Sequence, residues 1–287
     1  MIIQSRSKKM KIKEDEDDRI ETMFTLKKGY MDIQEEIDFS CRNHFFEHVM
    51  TVHHALNHCD NTLYVALKLI DRCLEKKSIK KSNLQLLGYV CLFIAIKYEE
   101  NELDEFESDR LYAHLNGKYL KRDILNMEYT VLNELKFFIT TRTCFYFMCK
   151  IKNQIDWDSL QKDDDKSREC RVENKITYMS QYIMEMSILN ENIVTYKDSI
   201  IGYGALMISA FVYGLDDLIC PLIIKEIKNQ QLLLRSCIKD QMKCINKAQR
   251  NNDYVNHKYH TLLNKRGAFW LKKKDQVEIL KKLDTIA

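Results

Sequence analysis

The chain has 287 residues, which is enough for one large domain or two medium-sized ones. It contains only seven glycines and one proline, and this shortage of turn-forming residues favours an all-α fold. Its 45 basic and 42 acidic residues give a formal charge of +3, so no domain-wide basic field marks nucleic acid as a partner.

The ten cysteines do not indicate a disulfide framework. Residues 1–10 are too polar for the apolar core of a signal peptide, and several cysteines lie among apolar neighbours, so we expect reduced thiols in a nuclear or cytoplasmic protein. The histidines between residues 44 and 58 include pairs spaced four apart that could bind zinc. However, no His-Glu-x-x-His or Cys-x-x-Cys motif occurs, so we predict no metal and no cofactor.

Residues 1–20 place lysines before a run of acidic residues and contain few apolar side chains, which predicts a disordered charged tail. A nuclear-targeting signal is the alternative reading of these lysines. Residues 21–39 have a mixed composition, and Gly29-Tyr30-Met31 indicates a turn. We therefore predict an N-terminal arm that docks on the following domain.

Residues 40–138 are predicted to form a module of five helices around the segment Ser82–Glu100. Ser82 and Gln85 have the spacing of a capping box, and the run that follows is apolar on every face up to Ile96. The run is shorter than the roughly 20 residues needed to cross a bilayer. It therefore predicts a buried core helix and gives no reason to expect a membrane partner.

Two charged residues fall on apolar helix faces of this module. Lys97 follows Phe93 and Ile94 on one stripe, and Glu128 lies within the apolar stripe of a predicted helix at Leu120–Lys136. A lysine in a last helical turn can simply complement the helix dipole. A carboxylate on a buried face, however, needs a cation, so we predict a partly buried pair between Lys97 and Glu128 at the rim of the bundle. Such a pair contributes little stability and suggests contact with another molecule.

Asp71 also lies on the apolar side of its helix and requires a buried cation, for which Arg42 is the candidate. Residues 139–250 repeat the pattern around a second apolar helix at Ser199–Phe211, with Pro221 suited to the first turn of a later helix. A charged loop at Gln161–Arg168 interrupts this module. Residues 251–287 are predicted to form a C-terminal tail that partly packs back.

Several linked motifs resemble those of the cyclins. The segment Thr62–Leu74 is similar to the family's Thr-Leu…Ile-Asp-Arg-Phe-Leu helix, and Leu84–Glu100 is similar to Leu-Gln-Leu-Val-Gly…Ala-Ser-Lys-Phe-Glu-Glu. Met127-Glu128, Leu132 and Phe137 match Met-Glu…Leu…Phe. The Gly29-Tyr30-Met31 turn and the second module resemble the A/B mitotic type.

The resemblance implies two tandem five-helix cyclin-fold modules in a regulatory subunit, rather than an enzyme. Such a subunit binds and activates a cyclin-dependent protein kinase by holding the kinase αC helix in its active position, and so controls the cell cycle. Carried onto this sequence, the kinase-binding residues are Lys97, Glu128, Tyr98, Phe137 and Ile139, whereas Arg42 and Asp71 form a structural ion pair. The implied localisation is nucleus and cytoplasm.

The substrate-docking patch of mitotic cyclins is only partly matched. Its positions fall on Cys41, Phe45, His48, Leu84 and Gln85, of which only Leu84 and Gln85 agree with the family pattern. The docking patch is therefore partly polar, and whether Arg-x-Leu substrates or inhibitors bind to it stays open. The family's Pro-Pro is also replaced, by the acidic connector Asn101–Asp104.

Two other function classes are weighed against this interpretation. A cyclin-fold scaffold related to transcription, or a DNA-binding module, would need a basic groove, which the near-neutral first module does not supply. An enzyme would need more than the carboxylates of Asp71, Glu99 and Glu100, because no nucleophile, phosphate loop or ligand cluster accompanies them.

Overall fold

The computed structural model describes residues 16–100, 113, 117–160, 171–227, 229–248, 254–255, 258–259, 277–279 and 281–282. Within these ranges the regular structure is helical and there is no β-strand, so the predicted all-α class is confirmed. The chain forms two compact units, Met1–Thr143 and Cys144–Ala287. The boundary predicted after residue 138 lies five residues before the observed one (143 against 138).

The first unit is built around one central helix. It contains an N-terminal helix at residues 16–24, followed by α1 (Phe39–Leu56), α2 (Asp60–Lys76), α3 (Lys81–Glu99) and α4 (Lys121–Glu134). Helix α3 packs against α1, α2 and α4, and its residues from Gly88 to Leu92 are all buried. The connector Asn101–Asp104 and the rest of residues 101–116, apart from residue 113, lie outside the described residues.

The start of α3 differs from the predicted capping box. The helix begins at Lys81, and its N-cap residue, Lys80, makes no side-chain cap hydrogen bond. The carboxylate of Glu36, which belongs to the N-terminal arm, accepts the Lys81 amide at 2.9 Å. Gln85 instead accepts a hydrogen bond from Lys118 at 2.8 Å. A carboxylate that is distant in sequence thus accepts a backbone amide at the start of α3, where the sequence predicted a local capping box.

The disordered tail predicted for residues 1–20 is wrong for residues 16–20, which belong to the N-terminal helix. Ile20 and Glu21 are buried, and the buried carboxylate of Asp17 accepts a hydrogen bond from Arg142 Nε at 2.7 Å. The composition of this segment favours disorder, but its buried Asp17 pairs with Arg142, which lies more than 100 residues later in the chain. Residues 1–15 lie outside the described residues.

The predicted arm docks on the first unit through Tyr30 and Gln34. The turn that leads into Tyr30 uses Gly29 at φ +73°, a left-handed conformation that glycine adopts without strain. Gln34 donates from Nε2 to the carbonyl oxygens of Leu74 and Lys77, at 2.6 and 2.7 Å. The arm therefore fixes the connection between α2 and α3.

The second unit also surrounds one apolar helix. It contains α5 (Cys144–Lys152), a 3-10 turn (Asp158–Leu160), α6 (Val172–Ile188), α7 (Asp198–Tyr213), α8 (Asp216–Ile227) and α9 (Gln231–Ala248). Helix α7 packs against α5, α6, α8 and α9. The charged loop at Gln161–Arg168 lies outside the described residues.

Two features of the second unit bear on the predictions for Pro221 and for the C-terminal tail. Pro221 is the sixth residue of α8, not part of its first turn, because the helix already starts at Asp216, directly after the turn at Gly214. From the C-terminal tail, Lys258 and Tyr259 donate hydrogen bonds to the buried carboxylate of Glu185, at 2.7 and 2.6 Å. Most of residues 251–287 lie outside the part of the chain that the structure describes.

Helices α5 and α7 approach each other closely at Gly202, where an added Cβ would lie 2.2 Å from the backbone oxygen of Cys144. Backbone cannot rotate away as a side chain can, so the helices would have to separate, at a cost of about 1–3 kcal/mol. We expect Gly202→Ala to lower the melting temperature by roughly 5 °C. Gly88→Ala is the matched control, because the atoms nearest to its Cβ would be side-chain atoms, the tip of the Phe45 ring and then Val49 Cγ2 at 3.3 Å. Equal melting temperatures for the two variants would contradict this account.

Candidate functional site

Lys97 and Glu128 lie on facing sides of α3 and α4, and the predicted contact between them is present. Lys97 Nζ donates a hydrogen bond to Glu128 Oε1, and the two side chains are 36% and 14% exposed. Ile124 and Val131, which flank Glu128 on α4, are buried, so the carboxylate lies at the edge of the apolar face. The ammonium group also lies 4.4 Å from the centre of the Phe93 ring. It is therefore held in place while part of it faces solvent.

Exposed aromatic side chains lie at or just after the ends of the two helices that carry this pair. Tyr98 is 46% exposed and Phe137 is 63% exposed, whereas Ile139 is half-buried. Tyr98 and Thr140 share a hydrogen bond of 2.8 Å between their hydroxyl groups, which ties the end of α3 to the segment after α4. We call the surface formed by Lys97, Tyr98, Glu128, Phe137 and Ile139 the α3–α4 face.

An unusual backbone conformation presents Phe137. Lys136 and Phe137 have φ angles of 52° and 56°, in the left-handed region that residues other than glycine rarely adopt. The Phe137 amide donates to the Leu132 carbonyl oxygen at 2.8 Å, which closes the end of α4. The chain therefore turns immediately after the helix, and the Phe137 ring faces solvent.

The predicted pair between Arg42 and Asp71 is also present and is fully enclosed. Arg42 Nε donates to Asp71 Oδ1 at 2.6 Å and Nη2 donates to Oδ2 at 2.5 Å. Burial lowers the pKa of Arg42, but the Asp71 carboxylate outweighs this effect and raises it above its usual value. Sequence reasoning missed Tyr30, whose buried hydroxyl donates to Asp71 Oδ1 at 2.9 Å. Burial, followed by the Asp71 charge, raises the pKa of Tyr30.

The end of α3 is anchored by contacts that the sequence did not reveal. Glu100 accepts hydrogen bonds from the Cys59 amide at 3.0 Å and from Thr62 Oγ1 at 2.7 Å. Partial burial favours the neutral acid, but these hydrogen bonds and nearby His58 hold the pKa of Glu100 below its usual value. Glu99 accepts from Asn61 Nδ2 at 2.7 Å. Both carboxylates thus join the start of α2 to the helix end that carries Lys97.

The positions of the predicted docking patch lie on α1 and on the first half of α3. They are Cys41, Phe45, His48, Leu84 and Gln85. Leu84 is buried, and the Phe45 ring packs directly on Gly88. His48 Nε2 and the Tyr89 hydroxyl share a hydrogen bond of 2.9 Å, while Gln85 accepts from Lys118. The polar replacement His48 therefore bonds to Tyr89 of α3.

Within the described ranges, no group of three or more His, Cys, Asp or Glu side chains has an arrangement that could hold a metal ion. None of the helices among the described residues has both the length and the hydropathy required to span a bilayer.

Comparisons with known proteins agree with the fold and with the motifs. Residues 16–140 match the family described as "Cyclin, N-terminal domain", and residues 141–270 match "Cyclin, C-terminal domain". A viral cyclin from herpesvirus saimiri has a similar fold, with a TM-score of 0.56 and 15% identity, covering 76% of this chain and 95% of that chain. The predicted tandem cyclin fold is therefore confirmed.

Similar sequences include cyclins of the A and B types. The chain is 29% identical over 196 residues to G2/mitotic-specific cyclin-3 of Saccharomyces cerevisiae, covering 68% of this chain and 42% of that protein. It is 30% identical over 198 residues to G2/mitotic-specific cyclin-B of Patella vulgata, covering 69% and 44%. It is 33% identical over 182 residues to Cyclin-A1-2 of Arabidopsis thaliana, covering 62% and 38%. The aligned region spans less than half of each relative. The chain belongs to the cyclin family, and its resemblance is to the A/B mitotic type.

Proposed function

We propose that this chain is a regulatory subunit that binds and activates a cyclin-dependent serine/threonine protein kinase, and that the α3–α4 face is the kinase-binding surface. The observation that carries the proposal is the partly exposed pair formed by Lys97 and Glu128, on two helices whose ends carry exposed aromatic side chains. A pair in this setting contributes little to stability. Aromatic anchors beside a charged group are, however, typical of protein interfaces.

Each residue of the α3–α4 face has a distinct role in this proposal. Lys97 donates hydrogen bonds to backbone carbonyl groups of the kinase, and Glu128 fixes the orientation of the ammonium group before binding. Tyr98, Phe137 and Ile139 supply apolar contact area around this charge. The exposure of Phe137, at 63%, supports its assignment as an anchor, since that area is available for burial in a complex.

Activation follows from a shift in the kinase population. A protein kinase is active when its β3 lysine pairs with a glutamate of helix αC and its activation loop is clear of the substrate site. A rigid helical face that packs only on the inward position of αC stabilises that state by its differential binding free energy. A change in the active fraction from 1% to 99% requires about 5.5 kcal/mol. An interface of about 1,600 Å² is large enough for such a difference.

The kinase performs all of the chemistry in this scheme, and the cyclin contributes only binding energy. The relatives named G2/mitotic-specific support a role in the control of the cell cycle and of mitosis.

The direct test uses the purified full chain and a panel of purified cyclin-dependent kinase catalytic subunits. Phosphorylation of a histone-type substrate is measured for each kinase with and without the chain. We expect at least one kinase to be stimulated by about a hundredfold, the ratio between active fractions of 1% and 99%. Failure of the folded chain to stimulate any of these kinases would contradict the proposal.

A further inference from the structure

Arg72, on α2, is a buried cation that forms no ion pair with any residue in the described ranges. The residue is only 2% exposed, and Nη2 donates to the carbonyl oxygen of Phe138 at 2.8 Å. Its Nε and Nη1 atoms have no hydrogen-bond partner in that part of the chain. Burial lowers the pKa of Arg72 to about 10. An apolar side chain of similar volume would stabilise this position at least as well, so the guanidinium group indicates a role other than stability.

The hydrogen bond from Arg72 Nη2 ends at the turn that presents Phe137. Lys136 and Phe137 both adopt left-handed backbone conformations there, which are unfavourable for residues other than glycine. Such conformations persist only where surrounding contacts enforce them, and they concentrate at binding sites. The carbonyl group of Phe138, which immediately follows the strained residues, is the group that Arg72 holds.

The N-terminal helix covers Arg72 and contacts the same turn. The guanidinium carbon of Arg72 lies 3.8 Å from the centre of the Phe24 ring, and the Phe24 and Phe138 ring centres are 5.4 Å apart. At the other end of this helix, the carboxylate of Asp17 is bonded to Arg142. The N-terminal helix is therefore attached both at the turn and at the segment that follows it.

We propose that Arg72 and Phe24 are positioning residues that hold the turn at Lys136–Phe138 in the conformation that exposes Phe137 to the kinase, a role that rests on the function proposed above. Neither side chain needs to touch the kinase. Arg72 fixes the carbonyl group after the strained residues, and the Phe24 ring packs on the guanidinium group and, at a tilt of 48°, against the Phe138 ring. Together they supply the contacts that offset the unfavourable backbone.

The test compares the full chain with its Arg72→Met and Phe24→Ala variants. We expect each variant to bind the kinase with a Kd about tenfold higher, equivalent to about 1.4 kcal/mol. In the free chain, the amides of Phe137 and Phe138 should exchange their hydrogens faster, since their hydrogen bonds depend on the turn. The melting temperature of Arg72→Met should be no lower than that of the wild type, because an apolar side chain replaces a charge without an ionic partner.

Two matched variants separate positioning from a loss of stability. Phe24→Tyr keeps the ring and should behave as the wild type. Lys136→Gly removes the strain at φ 52°, so adding it to Phe24→Ala should recover part of the lost affinity. Equal affinities for Phe24→Ala with and without Lys136→Gly, or a Kd within twofold of the wild type for both single variants, would overturn the positioning role.

Hydrogen exchange in the free chain needs no kinase, so it tests the positioning role of Arg72 and Phe24 separately from the proposed function. If the wild-type chain binds no kinase, the proposed function is wrong, and the binding part of this inference falls with it. Unchanged exchange at Phe137 in Arg72→Met and in Phe24→Ala would show instead that these residues do not hold the turn.

Discussion

Replacement of both Lys97 and Glu128 by alanine is expected to weaken kinase binding by roughly 30- to 100-fold, equivalent to about 2–3 kcal/mol. The loss reflects two changes in the complex: the kinase carbonyl groups lose their donor, and the cyclin loses the carboxylate that orients it. The helix content should stay unchanged, since a pair that is 36% and 14% exposed contributes at most about 1 kcal/mol to folding. Binding is measured by calorimetry and helix content by circular dichroism.

The control for this prediction exchanges the two charges, in the variant Lys97→Glu with Glu128→Lys. The exchanged pair can still attract within the chain, so its melting temperature should match that of the wild type. It presents a carboxylate where the kinase requires a donor, so its affinity should remain as low as that of the alanine variant. Recovery of kinase binding in the exchanged variant would indicate that the pair serves only the cyclin's own fold.

Replacement of Asp71 by alanine is expected to cause the largest loss of stability, about 3–5 kcal/mol, and to lower the melting temperature by roughly 10 °C. The variant leaves the fully buried guanidinium group of Arg42 without its carboxylate. It also removes the acceptor of the buried Tyr30 hydroxyl. Denaturant unfolding of the full chain measures the change.

Two milder variants give this prediction a graded scale. Tyr30→Phe removes one hydrogen bond and keeps the ion pair, so it should lose about 1 kcal/mol. Lys77→Ala removes an ion pair with Glu134 in which the side chains are 57% and 39% exposed, and it should stay within about 0.5 kcal/mol of the wild type. The account is wrong if Asp71→Ala loses no more stability than Lys77→Ala.

Both ion pairs were predictable from sequence because each places charged side chains on a helix face that is otherwise apolar. Lys97 and Glu128 interrupt two such stripes, and Asp71 interrupts a third. A buried charged group requires a partner of opposite charge, and helix geometry limits which residues can supply that partner. The family motifs then added a role for each residue.

Contacts between distant segments were not predictable in the same way. The N-terminal helix contains Asp17 in a run of acidic residues that favours disorder, but tertiary contacts such as its hydrogen bond from Arg142 override this composition. The left-handed conformation of Phe137 also runs against the preference of its own side chain. This backbone conformation depends on tertiary contacts. It was not predictable from sequence periodicity, because periodicity indicates only which face of a helix is buried.

The most direct test of the kinase-binding surface is residue-specific photocrosslinking in the complex. The photoreactive analogue p-benzoylphenylalanine is placed at Phe137 and, as a control, at His44, an exposed residue of α1 beside the Phe45 and Gly88 contact. We predict that the probe at Phe137 forms an adduct with the kinase whose crosslinked peptide contains helix αC, and that the probe at His44 forms none with the kinase. A kinase adduct from His44 but not from Phe137 would place the interface on another surface and contradict the account.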